Sequence, residues 1–367
     1  MKILITGGHI SPALAVIDKL LTIPQTVDIV FVGRKFPLGQ ERSLSLEFKE
    51  IQKRKIKFYD LQAGRLTRIV SFRSLVNFIK TPLGFWHAYQ ILVKERPSVV
   101  LAFGGYLALP IGLLASLMRI PLFIHEQTIQ PGITNKFLSL LAKITFISFN
   151  ESAKYFPSAR TQLSGNPVRE SIFMTTSPPF YIEKTRPVVY ITGGSLGSHS
   201  LNVHVEKLLP QLLKRYIVIH QTGNVKEYND LMRLSRLRRT LPTGLQSNYF
   251  IRDHFTDAEV GYVYSRSDIV VGRAGANTFF ELLALKKPAI FVPLPWSSHK
   301  EQQKQASLFK RAGVGEIFDQ YDDSQRLMTL INKVMREISY YHKSFKQLEY
   351  LYKQNATDVI IKTITSV

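Results

Sequence analysis

The sequence predicts an α/β chain in which two doubly wound parallel sheets follow one another. Short apolar runs alternate with segments of helical periodicity along both halves, as in parallel sheets covered by helices. The alternation pauses over residues 166–179, which contain Pro167, Pro178 and Pro179, and then restarts. Each half opens with an apolar strand, a Gly-rich turn and a helix, the order used by doubly wound nucleotide-binding folds.

In the first half, the pattern predicts a strand over residues 1–6 that ends on Gly7 and Gly8. Because Ser11 is a good N-cap residue and Pro12 suits the first helical position, we expect the following helix to start at Ser11. The remaining strands of this half are predicted at residues 27–32, 56–61, 99–103, 121–125 and 144–148.

The second half repeats this plan. A strand at residues 187–192 leads into the Gly-rich turn 193–198, and further strands are predicted at 216–220, 248–251, 268–271 and 289–293. We therefore expect domains at residues 1–169 and 170–340, with a helical tail at 341–367 that packs back on the first domain. Ligands of such sheets bind beyond the carboxyl ends of the strands, so the glycine turns are expected to line one central cleft.

The stretch from Ser267 to Ala306 is the most informative part of the second half. It contains a strand, the turn Gly272 to Ala276 and a helical segment that begins near Asn277. A helix N-terminus offers free N–H groups and a positive dipole end to phosphate. Glu281 follows about one turn into the helix, where a carboxylate reaches ribose hydroxyls. The alternative is an ordinary packing turn of an α/β sheet.

The composition narrows the class of function. The net charge is +21, which indicates an anionic partner such as nucleic acid, a membrane face or an anionic substrate. No module with interleaved basic and aromatic residues is recognisable, so nucleic acid is not expected. The absence of cysteine excludes disulfides and cysteine-ligated metals. The uncharged run from Pro97 to Met118 is interrupted by Gly104, Gly105 and Pro110, so we interpret it as a buried strand and a short helix rather than a membrane span.

Eight motifs follow one another along the chain: TGGHISPALAV (6–16), FGGYLALP (103–110), HEQ (125–127), GNPVR (165–169), GGSLGS (193–198), HQTG (220–223), RAGANTFFE (273–281) and HKEQQKQA (299–306). Any single glycine motif would be weak evidence, whereas eight motifs in register are specific. Their order closely resembles the MurG family of N-acetylglucosaminyltransferases.

This resemblance implies both a fold and a reaction. The implied fold is GT-B architecture, with two Rossmann-like domains that face a central cleft. The implied reaction transfers GlcNAc from UDP-GlcNAc to lipid I, which gives lipid II for peptidoglycan synthesis. It inverts the anomeric configuration and requires no cofactor and no metal at the site. The first domain is expected to bind the lipid-linked acceptor and the second to bind UDP-GlcNAc.

The donor-binding positions of the family map onto this sequence residue by residue. The resemblance implies that Glu281 binds the ribose, Gln302 binds hydroxyls of the GlcNAc ring and Thr256 lies beside the uracil. For Arg169, an exposed linker arginine is the alternative. The expected donor-binding residues are Thr6, Gly7, Gly8, Thr128, Arg169, Ser195, Thr256, Ala276, Asn277, Thr278, Glu281 and Gln302.

His9 and Glu126 are the expected catalytic residues. Because imidazole titrates near neutral pH, His9 suits a general base that takes the proton of the 4-hydroxyl of N-acetylmuramic acid. A purely structural histidine is the alternative. The expected acceptor-binding residues are Gly7, Gly8, Gly104, Gly105 and Tyr106.

Three positions depart from the usual pattern of the family. The first glycine loop, TGGH, is shorter by a few residues, Thr128 stands where Asn is usual, and Leu196 replaces a common Gln. The short loop concerns the acceptor and keeps open a related transferase with another lipid acceptor, such as diacylglycerol. A UDP-GlcNAc epimerase of the same fold is a second alternative, since a fold alone does not fix the reaction.

Residues 64–89 predict contact with a membrane surface. They include no acidic residue. We expect their basic face to dock on the anionic, cytoplasmic face of the bacterial cell membrane as a peripheral contact. The alternative for the apolar face is packing of an amphipathic helix on the sheet. The basic and aromatic residues are Arg65, Arg68, Arg73, Lys80, Phe72, Phe78, Phe85 and Trp86.

Overall fold

The computed structural model describes residues 1–24, 27–36, 44–61, 72–194, 196–223, 225 and 227–367. Side chains are described throughout these ranges except at Leu46, residues 72–81 and Ser298. The chain divides into two compact units. Unit 1 comprises Met1–Val168 and Lys353–Val367, and unit 2 comprises Arg169–Tyr352.

Unit 1 contains a seven-stranded parallel sheet with the strand order β3-β2-β1-β4-β5-β6-β7. Its strands are β1 (Lys2–Thr6), β2 (Asp28–Gly33), β3 (Lys57–Asp60), β4 (Val99–Ala102), β5 (Leu122–Glu126), β6 (Ile144–Ile147) and β7 (Thr161–Leu163). The helices that alternate with them are α1 (Ile10–Thr22), α2 (Leu46–Lys53), α3 (Phe72–Glu95), α4 (Ala108–Leu117) and α5 (Ile133–Ser139).

Unit 2 contains a six-stranded parallel sheet with the order β10-β9-β8-β11-β12-β13. Its strands are β8 (Val188–Thr192), β9 (Ile217–Gln221), β10 (Tyr249–Arg252), β11 (Ile269–Gly272), β12 (Ala289–Phe291) and β13 (Gly315–Ile317). Its helices are α6 (His199–Arg215), α7 (Asp230–Thr240), α8 (Thr243–Gln246), α9 (Asp257–Arg266), α10 (Ala276–Ala284), α11 (Glu301–Arg311), α12 (Ser324–Arg336) and α13 (Ile338–Ser344). The final helix of the chain, α14 (Ala356–Thr365), belongs to unit 1.

Both sheets are buried on their two faces, which explains the near-continuous apolar runs of the sequence. In unit 1, Ile3 and Ile5 pack on one face, whereas Leu4 of the same strand packs on the other. The α14 side chains Ile360 and Ile364 lie in the core cluster that contains Ile3 and Ile5. In unit 2, helices α6 and α12 cover one face of the sheet. The predicted class, two doubly wound parallel sheets, is confirmed.

The strand order reverses once in each unit. In unit 1 the chain leaves β1 towards β2 on one side and returns to β4 on the other, and in unit 2 the pair β8 and β11 has the same relation. The crevice outside the carboxyl ends of such a strand pair is where open α/β sheets bind their ligands. The glycine turns of the sequence follow these four strands, so the topology marks one candidate ligand site in each unit.

Several boundaries differ from the prediction. Helix α1 starts at Ile10 with His9 as its N-cap, so the predicted start at Ser11 is wrong and Ser11 lies inside the helix. His9 takes the cap position because its N–H group bonds to the carbonyl of Phe103 and its backbone is extended. The tail is also divided differently, because residues 341–352 belong to unit 2 and only residues 353–367 belong to unit 1.

No helix in the described part of the chain is long and apolar enough to cross a bilayer. The uncharged run that begins at Pro97 forms β4, a glycine turn and α4, as predicted from its interruptions. Residues 64–71 of the predicted membrane surface lie outside the described residues, and residues 72–89 belong to α3.

Candidate active site

In unit 1 the two glycine turns at the strand-order reversal are in close contact. A Cβ atom on Gly8 would lie 2.2 Å from the carbonyl oxygen of Gly104, so only glycine fits at position 8. Gly104 and Gly105 have φ angles of +78° and +75°, a conformation that L side chains rarely adopt. The turn leaves little space for side chains, and backbone groups and His9 therefore form this part of the site. Thr6 is completely buried, and its Oγ1 atom lacks a hydrogen-bond partner among the described residues.

His9 is oriented by the second glycine turn. Its Nδ1 atom lies 2.9 Å from the carbonyl oxygen of Phe103. A carbonyl only accepts, so Nδ1 carries the proton and donates, and Nε2 keeps a free lone pair. His9 is partly exposed. The side chain therefore has the tautomer that a general base requires.

Glu126 is at the carboxyl end of β5 and is 1% exposed. One carboxylate oxygen accepts from the N–H and the hydroxyl of Thr128 at 2.9 and 2.6 Å, and the other accepts from the amide of Asn135 at 2.9 Å. Both oxygens therefore hold the loop that follows β5. Thr128 is 4% exposed and directs its hydroxyl to Glu126 and to the carbonyl of Gln130.

His125, next to Glu126, is buried and neutral. Burial, with a smaller contribution from the nearby His9, lowers its pKa to about 4. Its Nε2 atom lies 3.2 Å from the carbonyl oxygen of Gly165 and 3.3 Å from Oγ of Ser148. Because His125 stays uncharged near neutral pH, it does not place a fixed positive charge beside His9.

In unit 2 the N-terminus of α10 follows β11 at the reversal of strand order. The first N–H groups of an α-helix have no intrahelical partner, and the N-cap residue Gly275 has no side chain that could accept from them. Ala276, Asn277 and Thr278 occupy this first turn, and the Oδ1 atom of Asn277 is buried without a partner among the described residues. The turn has the properties of an anion-binding helix N-terminus, as the sequence predicts.

Arg169 and Glu281 form a buried ion pair within unit 2. Nη2 and Nε of Arg169 donate to Oε1 of Glu281 at 2.6 and 3.1 Å, and Nη1 donates to Asp257. The hydroxyl of Tyr264 donates to the other oxygen of Glu281 at 2.9 Å. Burial alone lowers the pKa of Arg169, but the charges of Glu281 and Asp257 outweigh it and the pKa is raised. Arg169 is therefore a fixed charge of the site and not an exposed linker residue.

Arg273 lies in the glycine turn before α10 and connects three loops. Its guanidinium donates to the carbonyl of Val292 at 2.9 Å, to Oγ of Ser198 at 2.7 Å, to Oγ of Ser200 at 2.9 Å and to Oε1 of Gln320 at 2.9 Å. Burial lowers its pKa to about 10. All four acceptors are neutral, and no carboxylate of the described residues pairs with this guanidinium. The turn therefore carries a positive charge next to the N-termini of α6 and α10.

The other predicted donor residues lie on the loops of unit 2. Gln302 accepts from the N–H of Leu294 at 2.9 Å through Oε1, which fixes its side chain on the loop after β12. Thr256 is the exposed N-cap residue of α9, and its N–H and hydroxyl donate to Glu259 at 2.9 Å. Ser195 lies outside the described residues. The side chain that caps α6 is that of Ser198, which accepts from the N–H of Leu201.

Four residues of these clusters were missed from the sequence. Asn135 donates to Glu126. Asp257 pairs with Arg169, and Tyr264 donates to Glu281. Arg273 was named in the sequence only as part of a motif. Asn135 and Tyr264 have no local signal, because their partners lie on other elements of the fold. Asp257 begins α9 and resembles an ordinary first-turn acid. Among the described residues, no group of three His, Asp or Glu side chains is arranged to hold a metal ion.

Comparisons with known proteins identify the family. The profile of the Glycosyltransferase family 28 N-terminal domain matches residues 6–147, and that of the Glycosyltransferase family 28 C-terminal domain matches residues 188–364. A protein of Clostridium kluyveri is 30% identical over 99% of this chain and 98% of its own length. It is named UDP-N-acetylglucosamine–N-acetylmuramyl-(pentapeptide) pyrophosphoryl-undecaprenol N-acetylglucosamine transferase.

Two solved structures are also similar to this chain. MurG of Acinetobacter baumannii matches with a TM-score of 0.71 at 25% identity, and the match covers 100% of both chains. UDP-GlcNAc 2-epimerase of Neisseria meningitidis matches with a TM-score of 0.66 at 17% identity over 100% of both chains, which is a likeness of fold alone. The chain belongs to glycosyltransferase family 28 and, within it, to the MurG family of UDP-GlcNAc-dependent N-acetylglucosaminyltransferases.

Proposed function

We propose that the chain transfers GlcNAc from UDP-GlcNAc to the 4-hydroxyl of N-acetylmuramic acid in lipid I, which gives lipid II. The main support is similarity, over nearly the whole chain, to the Clostridium kluyveri protein that is named as an N-acetylglucosamine transferase acting on N-acetylmuramyl-(pentapeptide) pyrophosphoryl-undecaprenol. The geometry agrees, since each unit has glycine turns at its reversal of strand order and unit 1 has an oriented histidine there. Two ligand sites suit a reaction with two substrates.

The donor is proposed to bind unit 2. The free N–H groups of Ala276, Asn277 and Thr278, together with the positive charge of Arg273, suit the diphosphate of UDP-GlcNAc. When the bond between C1 of GlcNAc and UDP breaks, negative charge grows on this diphosphate. Fixed N–H dipoles and a guanidinium stabilise that charge without reorganisation. Ser195 remains a proposed diphosphate ligand on the resemblance alone.

The ribose and the sugar are proposed to meet two further side chains. Glu281 is held in one orientation by Arg169 and Tyr264, so its carboxylate is preorganised for ribose hydroxyls. Gln302 uses Oε1 to bind its own loop, which leaves its amide NH₂ as the group for a GlcNAc hydroxyl. Thr256 is proposed to lie beside the uracil.

The acceptor is proposed to bind unit 1, with His9 as the general base. Nε2 of His9 takes the proton of the 4-hydroxyl while the oxygen of this hydroxyl attacks C1 of GlcNAc. UDP leaves from the opposite side of C1. The bond from Nδ1 to the carbonyl of Phe103 stabilises the imidazolium that forms. Glu126 is 1% exposed and holds Thr128 and Asn135 inside unit 1, so we restrict its proposed role to positioning of that loop. Gly7, Gly8, Gly104, Gly105 and Tyr106 are proposed to surround the acceptor.

The proposal is tested by analysis of the lipid product. Incubation with UDP-GlcNAc and lipid I is expected to give a lipid-linked disaccharide in which GlcNAc is β-linked to O4 of N-acetylmuramic acid. The linkage can be read from the proton coupling of the anomeric centre by NMR. An α-linked product would contradict inversion by direct displacement, and the release of free sugar without lipid product would contradict the transfer itself.

A membrane surface is proposed as a further partner of unit 1. On α3, four apolar side chains at helical spacing are exposed, and Trp86 is 60% exposed. Helix α3 packs on α4, and α4 packs on α5. A second set of exposed apolar side chains lies on α5 and at its C-terminal end. Exposed basic residues accompany these helices: Lys94, Arg96, Arg119 and Lys143. Apolar side chains next to cations suit the cytoplasmic face of a bacterial membrane. The exposed apolar residues are Leu83, Trp86, Tyr89, Val93, Ile133, Phe137 and Leu140.

Replacing Leu83 and Trp86 together with serine is expected to weaken binding to anionic phospholipid vesicles about tenfold or more, because each large apolar side chain contributes on the order of 1.5–3 kcal/mol when fully buried. Vesicle sedimentation measures the change. Tyr181→Ser is the matched control, since Tyr181 is 79% exposed on unit 2. Equal binding of the double variant and the control would place the membrane contact elsewhere.

A further inference from the structure

The turn after β2 in unit 1 carries an arginine with an unused hydrogen-bond donor. Arg34 stacks on Tyr106, with its Cζ atom 5.0 Å from the ring centroid. Its Nη1 atom is buried, and within the described part of the chain nothing accepts a hydrogen bond from it. A buried donor of a charged group that lacks an acceptor raises the free energy of the folded state, so a bound ligand that accepts from it would be stabilised here.

The main chain at Arg34 is fixed independently of this side chain. Its N–H donates to Oε1 of Glu47, and its carbonyl accepts from the hydroxyl of Ser45. The next N–H, of Lys35, donates to Oδ1 of Asp60 at 2.9 Å. Burial raises the pKa of Glu47, and the Arg34 charge acts against this rise. The main chain of Arg34 therefore has hydrogen bonds of its own, and none of them uses the Nη1 donor of the guanidinium.

Arg34 lies among the two glycine turns of unit 1. It directly follows Gly33, β2 pairs with β1, and Tyr106 directly follows the Gly104–Gly105 turn. A Cβ atom on Gly7 would lie 2.7 Å from Oε2 of Glu47, the carboxylate that binds the Arg34 main chain. The side chain thus belongs to the ligand site that the strand order marks in this unit.

The first glycine turn itself has few donors left for an anion. The N–H of Gly7 donates to the carbonyl of Val32 at 2.7 Å, and the N–H of His9 donates to the carbonyl of Phe103 at 3.2 Å. Of these three successive amides, only that of Gly8 has no backbone acceptor among the described residues. A phosphate at this turn therefore needs a donor from outside the turn.

We propose that Arg34 binds a phosphate of the lipid-linked acceptor, with its guanidinium placed over the ring of Tyr106 and assisted by the N–H of Gly8. This inference rests on the proposed function, in which the acceptor carries a diphosphate. A planar guanidinium suits the task because it forms two parallel hydrogen bonds to phosphate oxygens. Arg34 is a binding residue of the acceptor site and takes no part in proton transfer.

The test compares Arg34→Gln and Arg34→Lys with the wild type. Calorimetry measures the affinity for farnesyl diphosphate, a soluble prenyl diphosphate, and for UDP. Lys49→Gln is the matched control, because it removes one positive charge from the exposed side of the neighbouring helix α2. Loss of a charge-assisted bond is expected to weaken farnesyl diphosphate binding about tenfold or more in Arg34→Gln. Arg34→Lys should lie between Arg34→Gln and the wild type, and Lys49→Gln and all UDP affinities should stay unchanged.

Three results would overturn the inference. The first is equal affinity of Arg34→Gln and Lys49→Gln for farnesyl diphosphate. The second is a parallel fall of UDP affinity, which would assign Arg34 to the donor. The third is a clear fall of the unfolding temperature in both Arg34→Gln and Arg34→Lys relative to the wild type, which would make the role structural. These readouts do not use turnover. Failure of transfer to lipid I by the wild type would instead contradict the proposed function, and the two failures are therefore distinguishable.

Discussion

Replacing Arg169 with alanine is expected to lower the free energy of unfolding by about 3–5 kcal/mol, the cost of removing one partner from a buried ion pair. The reason is the environment of Glu281, whose side chain is 8% exposed. Without Arg169 its carboxylate stays buried, and among the described residues the hydroxyl of Tyr264 is the one remaining hydrogen-bond partner. UDP-GlcNAc affinity is expected to fall as well, since the carboxylate proposed for the ribose loses its fixed orientation.

The matched control for this prediction is Arg326→Ala. Arg326 pairs with Asp322 at 3.0 Å, but its side chain is 61% exposed. An exposed pair of this kind contributes about 0.2–1 kcal/mol. Urea unfolding followed by circular dichroism gives both values, and calorimetry gives the UDP-GlcNAc affinity. A stability loss at Arg169 no larger than that at Arg326 would show that Glu281 does not depend on this ion pair.

Replacing His9 with alanine is expected to lower turnover by about 10²–10⁴, the usual contribution of a positioned general base. UDP-GlcNAc affinity should remain that of the wild type, because the donor is proposed to bind unit 2. The reduction should appear in kcat, since the Nε2 lone pair acts only as the hydroxyl attacks. Initial rates with lipid I and calorimetry with UDP-GlcNAc separate the two effects.

His342→Gln is the control for this variant, because His342 lies on the exposed side of α13 and bonds the carbonyl of Lys286. Its turnover should equal that of the wild type. Wild-type turnover in His9→Ala would remove His9 as the base. A parallel loss of donor affinity would instead indicate that the glycine turn of unit 1 has been disturbed.

The sheet architecture was predictable because the strands are buried on both faces. The central strands contain apolar runs, such as Ile3 to Ile5, and β1, β4, β8 and β11 lead into glycine turns. The edge strands β7 and β13 were missed because each has three residues with a polar one in the middle, Gln162 or Glu316, whereas the equally short β12 is wholly apolar. The start of α1 was misplaced because Ser11 and Pro12 are favourable near a helix start, whereas the tertiary bond of His9 to Phe103 sets the boundary.

The candidate site was predictable where a single motif both places a residue at the end of a strand and supplies the functional group. His9 and the residues at the start of α10 are of this kind, since a strand, a glycine turn and a helix are adjacent in the sequence. The partners of these residues were not predictable, because they come from distant segments. Arg169 and Glu281 are 112 positions apart and meet through the fold of unit 2. Arg34 reaches Tyr106 only through the order β2-β1-β4.

The identity of the lipid acceptor can be tested by a direct comparison of two lipids. Purified protein is incubated with radiolabelled UDP-GlcNAc and, in parallel, with lipid I or with diacylglycerol in the same anionic vesicles, and initial rates of label transfer to lipid are compared. We expect rapid transfer to lipid I and no transfer above background to diacylglycerol. Preferred transfer to diacylglycerol would contradict this expectation and would favour the alternative glycosyltransferase.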